Sequence, residues 1–156
     1  MDMGNYIFAE SAESIGQARK LILEYADSLG CSPCLVNIEQ EMRRFPEPFA
    51  PPAGRLVLAI DHDRPAGVVG VKRIAADSCE MARLYVRPRF RGKGYGKGLA
   101  LTGMAAAGEA GYRVIRLYTL PSMTTALTMY RKIGFVEISP YSDHPIAEAV
   151  YLEYEF

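Results

Sequence analysis

The segment Arg91-Gly92-Lys93-Gly94-Tyr95-Gly96 joins two stretches of different periodicity and so commits the middle of the chain to a strand, a tight loop and a helix. Before it runs the apolar stretch Met81-Ala82-Arg83-Leu84-Tyr85-Val86, and after it Leu99 to Ala105 reads as helix. Three glycines at alternate positions let the backbone turn tightly and bring bare N–H groups close to a ligand. The helix that follows offers free donors and the positive end of its dipole, which attract anions. Arg91, Lys93 and Lys97 add positive charge. Such a loop is built to hold phosphate.

The rest of the chain reads as a frame around this unit. Tyr6–Ala9 is a short first strand, and Ser14 and Gln17 have capping-box spacing ahead of a helix that ends at Gly30. A second helix covers Leu35 to Arg44, and the Pro-rich stretch Phe45–Pro52 is expected to be irregular. Leu56–Ile60 and Gly67–Val71 form a hairpin of buried strands around the turn residues Asp61–Pro65. Further strands follow at Glu80–Val86, Val114–Tyr118, Val136–Ile138 and Val150–Leu152, with helices from about Gly94 to Ala110 and from Met123 to Ile133. An early helical section, a meander and a strand–helix–strand–helix–strand run make one α/β domain over residues 1–156, with helices on both faces of a single sheet.

Composition narrows the function. The chain has 18 basic and 18 acidic residues, which argues against a dedicated nucleic-acid binder, so the basic cluster from Arg87 to Lys97 suits a small polyanion. No stretch reaches the roughly 20 apolar residues of a membrane span, and Met1–Asn5 lacks an export signal, so a cytoplasmic location is expected. Cys31-Ser32-Pro33-Cys34 is a CxxC, yet a redox pair would want a helix starting at its first cysteine, where Gly30 is read as ending one. A zinc site would need two more ligands, and Cys79, His62 and His144 are isolated. Buried or incidental thiols are expected, and no metal.

The glycine loop lacks the Ser or Thr of a Walker A motif after Lys97, and Lys97 stands where a dinucleotide fingerprint needs glycine. The run Leu84 to Leu99 instead resembles the acetyl-coenzyme A loop of the GNAT superfamily of N-acetyltransferases, with Arg91, Gly94 and Gly96 filling the [RQ]-x-x-G-x-[GA] positions. A second match, Tyr130-Arg131-Lys132-Ile133-Gly134-Phe135, is similar to the family's helix ending in Tyr-x-x-x-Gly-Phe. The order of elements agrees over nearly the whole chain.

The resemblance implies a mixed, largely antiparallel central sheet whose middle strands splay apart, the acyl-CoA N-acyltransferase fold. It implies an acetyltransferase that takes acetyl-CoA as co-substrate and acetylates a primary amine in a ternary complex, with a homodimer possible in such a family. Cofactor contacts would come from Leu84, Tyr85 and Val86 on the strand and from Arg91, Gly92, Lys93, Gly94, Tyr95, Gly96 and Lys97 in the loop. Glu80 is the candidate general base, or else an ion-pair partner of Arg83 or another cation. Tyr130 is the candidate acid for the departing thiolate; its ring is also placed to pack on Phe135, and both roles are compatible. Many relatives carry an Asn in the segment that here reads Tyr118-Thr119-Leu120-Pro121-Ser122-Met123, so that contact is absent or taken by Thr119 or Ser122, the latter also read as a helix N-cap. Glu41, Tyr141 and His144 are candidate acceptor contacts, as is the Pro-rich loop through Phe49. The alternative reading is a non-catalytic module that senses acyl-CoA, favoured if neither Glu80 nor Tyr130 faces the slot.

Overall fold

Two residues, His62 and Asp63, turn the central hairpin with φ of 48° and 66°, the left-handed geometry that matches strand twist in a two-residue loop. This turn is tighter than the Asp61–Pro65 stretch suggested, and it leaves Asp61 inside the sheet. The computed structural model describes residues 5–142 and 145–156, the side chain of Ser32 apart. The strands are β1 (Asn5–Phe8), β2 (Arg55–Asp61), β3 (Arg64–Arg73), β4 (Ser78–Val86), β5 (Val114–Thr119), β6 (Val136–Ile138) and β7 (Val150–Glu155). They form one seven-stranded sheet in the order β1-β2-β3-β4-β5-β7-β6. Every neighbouring pair is antiparallel except β4 and β5.

A parallel pair needs a crossover, and α3 (Tyr95–Glu109) supplies it. Together with α4 (Thr124–Ile133) it covers one face, where Val57, Val69, Leu99 and Leu127 share a core. The other face carries α1 (Ala12–Ser28) and α2 (Ser32–Met42), whose Leu21, Ile22 and Ile38 pack on Leu58 and Val68. Covering both faces explains why β2 and β3 read as continuous apolar runs instead of alternating ones. No helix among the described residues is long and apolar enough to cross a membrane.

Helix boundaries depart from expectation where a cap competes. Ser11, one turn before Ser14, caps α1: its hydroxyl accepts from the Ser14 N–H at 3.1 Å, and Ser14 Oγ accepts from the Ser11 N–H at 3.0 Å. The Ser14–Gln17 box is therefore not the one used. Ser122 is not a cap either, since α4 is preceded by Met123 with no side-chain cap. α2 begins before Leu35 because Cys31 Sγ accepts from the Cys34 N–H at 3.3 Å and Pro33 fits a first helical turn. That turn brings the two Cα atoms to 5.3 Å, and Cys31 and Cys34 form a disulfide, which overturns the expectation of incidental thiols.

The Pro-rich stretch is not wholly irregular. It holds a 3₁₀ turn, Glu47–Phe49, which drives Phe49 into the core at 1% exposure, while Pro48 beside it lines a surface cleft. Gly70 makes room for that ring: a Cβ there would lie 2.4 Å from Phe49 Cε1. Gly70→Ala should therefore destabilise the fold by about 1–3 kcal/mol through overpacking, measured by denaturant unfolding.

Candidate active site

β4 and β5 pair only at Ser78, Cys79 and Glu80, opposite Val114, Ile115 and Arg116. Beyond Glu80 they part. β4 stays with β3 up to Val86, while β5 stays with β7 through Thr119. A bulge in β4 accompanies the parting, for Arg83 has φ of 64° and the β3–β4 register shifts between Val68 and Gly70. The gap is a narrow slot of about 60 Å³ lined by residues of both helical layers, including Tyr25, Cys34 and Tyr130, and by Arg83, Leu84 and Tyr118.

Backbone directions follow from two bonds. The Arg87 N–H donates to Ala66 O at 2.8 Å, on the β3 side, whereas Val86 O points away and accepts from Arg91 Nε at 2.9 Å. Alternation along a strand then turns the amides of Val86 and Leu84 toward the gap and that of Tyr85 toward β3. Tyr85 contributes its ring instead, packed on Tyr25 at 5.8 Å and beneath the Arg91 guanidinium at 5.8 Å.

At the mouth of the gap lies the glycine loop. Gly92 and Gly94 have φ of 81° and 87°, a conformation that other residues adopt at a cost, and the space over both is open. Gly94 caps α3 without a side chain, and the first intrahelical bond runs from the Gly98 N–H to Gly94 O at 3.0 Å. The amides of Gly96 and Lys97 thus keep no partner within the helix. Beside this end a cleft between α3 and α4 is lined by Lys97, Thr125, Thr128 and Lys132.

The loop is tied down by Asp61, which the sequence reading passed over as a turn residue. Tyr95, 4% exposed, donates its hydroxyl to Asp61 Oδ2 at 2.6 Å, and Lys93 Nζ lies 3.4 Å from the same oxygen. His62 Nδ1 is 2.5 Å from Oδ1. The Tyr95 hydroxyl above all, then His62, brings the Asp61 carboxyl down to about 2. The Tyr95 side chain therefore anchors the loop to β2 and is turned away from its open side.

Tyr130 lines the slot at 5% exposure. Its carbonyl accepts from the Phe135 N–H at 3.0 Å, Gly134 donates to Arg131 O at 3.2 Å with φ of 125°, and the Tyr130 and Phe135 rings meet edge-on at 5.5 Å. The expected packing is present, and the ring reaches the slot as well. Burial raises its hydroxyl pKa well above the usual phenol value.

Glu80 sits where the strands part, 8% exposed, accepting from the Tyr141 hydroxyl at 2.7 Å with Lys72 Nζ at 3.7 Å. Arg83 is not its partner. That guanidinium donates to Glu41 Oε2 at 2.8 Å, and Lys72 donates to Glu41 Oε1 at 2.9 Å. Burial works against the charge on Arg83, and the Glu41 carboxylate more than offsets it, holding the guanidinium above its ordinary range. Glu41, Glu80 and Lys72 line a second cleft that shares Arg83 and Tyr118 with the slot, so the two cavities meet at that pair. Glu41 thus borders the cleft with both oxygens engaged. Tyr141 packs edge-on against Tyr151 at 5.3 Å beside Ser142 of the cleft wall; burial, then the Glu80 carboxylate, raises its pKa. His144 lies outside the described residues. Thr119 lines the slot but turns its hydroxyl to Met123 Sδ at 3.1 Å.

Residues 24–135 match the sequence model of the acetyltransferase (GNAT) family. An uncharacterized N-acetyltransferase of Schizosaccharomyces pombe is 30% identical over 145 residues, covering 92% of this chain and 89% of that protein. Among solved structures, an acetyltransferase from Streptococcus agalactiae superposes with a TM-score of 0.79 at 15% identity, covering 97% of this chain and 98% of that one. A Bacillus subtilis acetyltransferase in complex with CoA gives 0.70 at 19% identity, covering 99% of each chain.

Asp61 carries a pH signature. Its folded pKa lies below the ordinary value of about 3.9, so its carboxylate stabilises the fold above that pH, and the contribution is lost as pH falls toward about 2. Asp61→Asn should be less stable than the parent at neutral pH. The urea midpoints of the two proteins should converge between roughly pH 4 and pH 2.

Proposed function

Because this chain belongs to the GNAT family of acetyltransferases, we propose that it moves an acetyl group from acetyl-CoA to the primary amine of an acceptor by direct attack in a ternary complex. The observation that carries the reading is the parting of β4 and β5 after Glu80, with the Leu84 and Val86 amides turned into the gap and a phosphate-type loop at its mouth. The Bacillus subtilis relative of the same fold holds CoA. Loop amides from Arg91 to Lys97 take the pyrophosphate, and Lys97 and Lys132 flank the nucleotide in the cleft between α3 and α4. Leu84 and Val86 supply the strand-like bonds for the pantetheine arm. The Leu84 N–H polarises the thioester carbonyl, and it stabilises the oxyanion as the amine adds.

The acceptor enters through the cleft that meets the slot at Arg83 and Tyr118. Holding a lysine-like amine neutral at pH 7 costs about 4–5 kcal/mol, and Glu80, directly or through one water, is the group placed to take its proton. Tyr130 serves the other side of the reaction. A thiolate with a pKa near 8.5 would gain a proton from an unperturbed phenol only against about 2 kcal/mol, and burial of Tyr130 widens that gap. Its hydroxyl therefore acts as a hydrogen-bond donor to the departing sulfur. Both candidate side chains line connected cavities, which favours transfer over mere sensing.

A panel of primary amines, assayed by release of the CoA thiol, tests the reading; a chain that binds acetyl-CoA and transfers to none would overturn it. Tyr130→Phe should lower kcat by about 10–100-fold, the worth of a hydrogen bond to a charged group, with acetyl-CoA affinity nearly unchanged. Glu80→Gln should lower kcat/KM by roughly 10²–10⁴-fold at neutral pH and move the pH–rate profile to alkaline values, since only amine already neutral in solution then reacts. An unmoved profile would return Glu80 to a purely structural role.

A further inference from the structure

The CxxC motif takes no part in the chemistry just described, yet it touches the slot. Cys31 occupies the N-cap of α2 and is partly exposed, whereas Cys34 is 5% exposed and lines the slot with Tyr25, Arg83, Tyr118 and Tyr130. The two sulfurs are bonded. We propose that Cys31 and Cys34 form a reversible dithiol–disulfide site, open to small thiols at Cys31 and sensed in the acyl slot through Cys34. The redox half stands alone; the coupling half rests on the function proposed above.

The chemistry is fixed by access. An external thiolate attacks Cys31 Sγ, the S–S bond breaks, and Cys34 leaves as a thiolate that takes up a proton. A second thiol then attacks the sulfur of the reductant in the mixed disulfide, freeing Cys31 and releasing the reductant as its own disulfide. Two electrons and two protons have entered the protein. A helix start favours a thiolate at Cys31, and the Cys34 N–H, 3.3 Å from Cys31 Sγ, is already aimed at that sulfur. Cys79 is the contrast within the same chain: wholly buried, donating to Val114 O at 3.8 Å, with burial and then Glu80 pushing its thiol up to about 12.

Coupling follows from what α2 carries. Once unbonded, the sulfurs must separate to van der Waals contact, and Cys34 has the slot wall on one side. The first turn of α2 shifts, and the same helix presents Glu41, which holds both Arg83 and Lys72. Arg83 and Cys34 border the same slot. The disulfide form, with this turn stapled, is the form that grips the co-substrate better.

The full chain is oxidised with glutathione disulfide or reduced with dithiothreitol, freed of reagent, and alkylated in the native state with peptide mapping by mass spectrometry. The oxidised protein should label at neither Cys31 nor Cys34. The reduced protein should label at Cys31 first, with Cys34 slower and slower still when acetyl-CoA is present, while Cys79 labels only after denaturation. The KM for acetyl-CoA should rise at least about threefold on reduction, and the Cys31→Ser/Cys34→Ser double variant should give one KM under both treatments. Cysteines that stay alkylatable after oxidation overturn the redox site. An intact redox change with no protection of Cys34 and equal KM in both states overturns the coupling alone. Failure to bind acetyl-CoA in either state, with the thiol chemistry intact, overturns the proposed function and leaves the redox site standing.

Discussion

An ion triad, buried at its Glu41–Arg83 pair and half-buried at Lys72, sits at the bulge beside the gap on which the site depends. Glu41 reaches from α2 to Arg83 on β4 and Lys72 on β3, and Arg83 occupies the left-handed region inside a strand. A non-glycine residue there costs of the order of 1–3 kcal/mol and persists only when its surroundings over-determine it. Here the constraint is electrostatic. Removing one partner of such a pair strands a buried charge, typically at about 3–5 kcal/mol, so the bulge and the helix are locked to each other. The bulge also sets which amides of β4 face away from β3, and so links a helix on one face of the sheet to the bonding groups of the slot.

Asp61 plays the equivalent part at the other end of β4. It takes the Tyr95 hydroxyl and approaches Lys93, so one carboxylate from the β2–β3 hairpin steadies both the start of α3 and the loop before it. The glycines supply the shape of that loop, while its stiffness comes from a strand it does not touch in sequence. Rigid support for a flexible backbone is what the main-chain anion contacts proposed above would require.

Much of this was legible from residue pattern. The continuous apolar runs of β2 and β3 announced strands buried on both faces, and the glycine spacing after Val86 placed the start of α3 within a residue. The Tyr130–Phe135 contact was readable because a glycine that ends a helix dictates which residues meet across its last turn. Other features were not readable, for definite reasons. Asp61 beside a turn looks like any turn aspartate until the tyrosine 34 positions later is seen beneath it. Arg83 in an apolar strand gave a signal, a cation where none should be buried, but not the identity of its partner 42 residues away. Ser11 and Ser14 show the smaller ambiguity: two serines one turn apart offer the same cap, and only packing decides between them. The start of α2 was missed because cysteine is a poor guide to a cap.

Because β4 is joined to β5 through the very helix that the glycine loop opens, the two ends of the gap are fixed by one continuous piece of chain. From Glu80, where the strands separate, to Val86, beneath the loop, six residue steps span at most about 20 Å, shortened by the bulge at Arg83. A cavity gripped at its mouth and closed at its apex is a gauge of length. For a thioester carrier seated as proposed above, a shorter arm would leave the reactive end short of the apex and a longer one would have to buckle, so reach itself would discriminate before any side chain did.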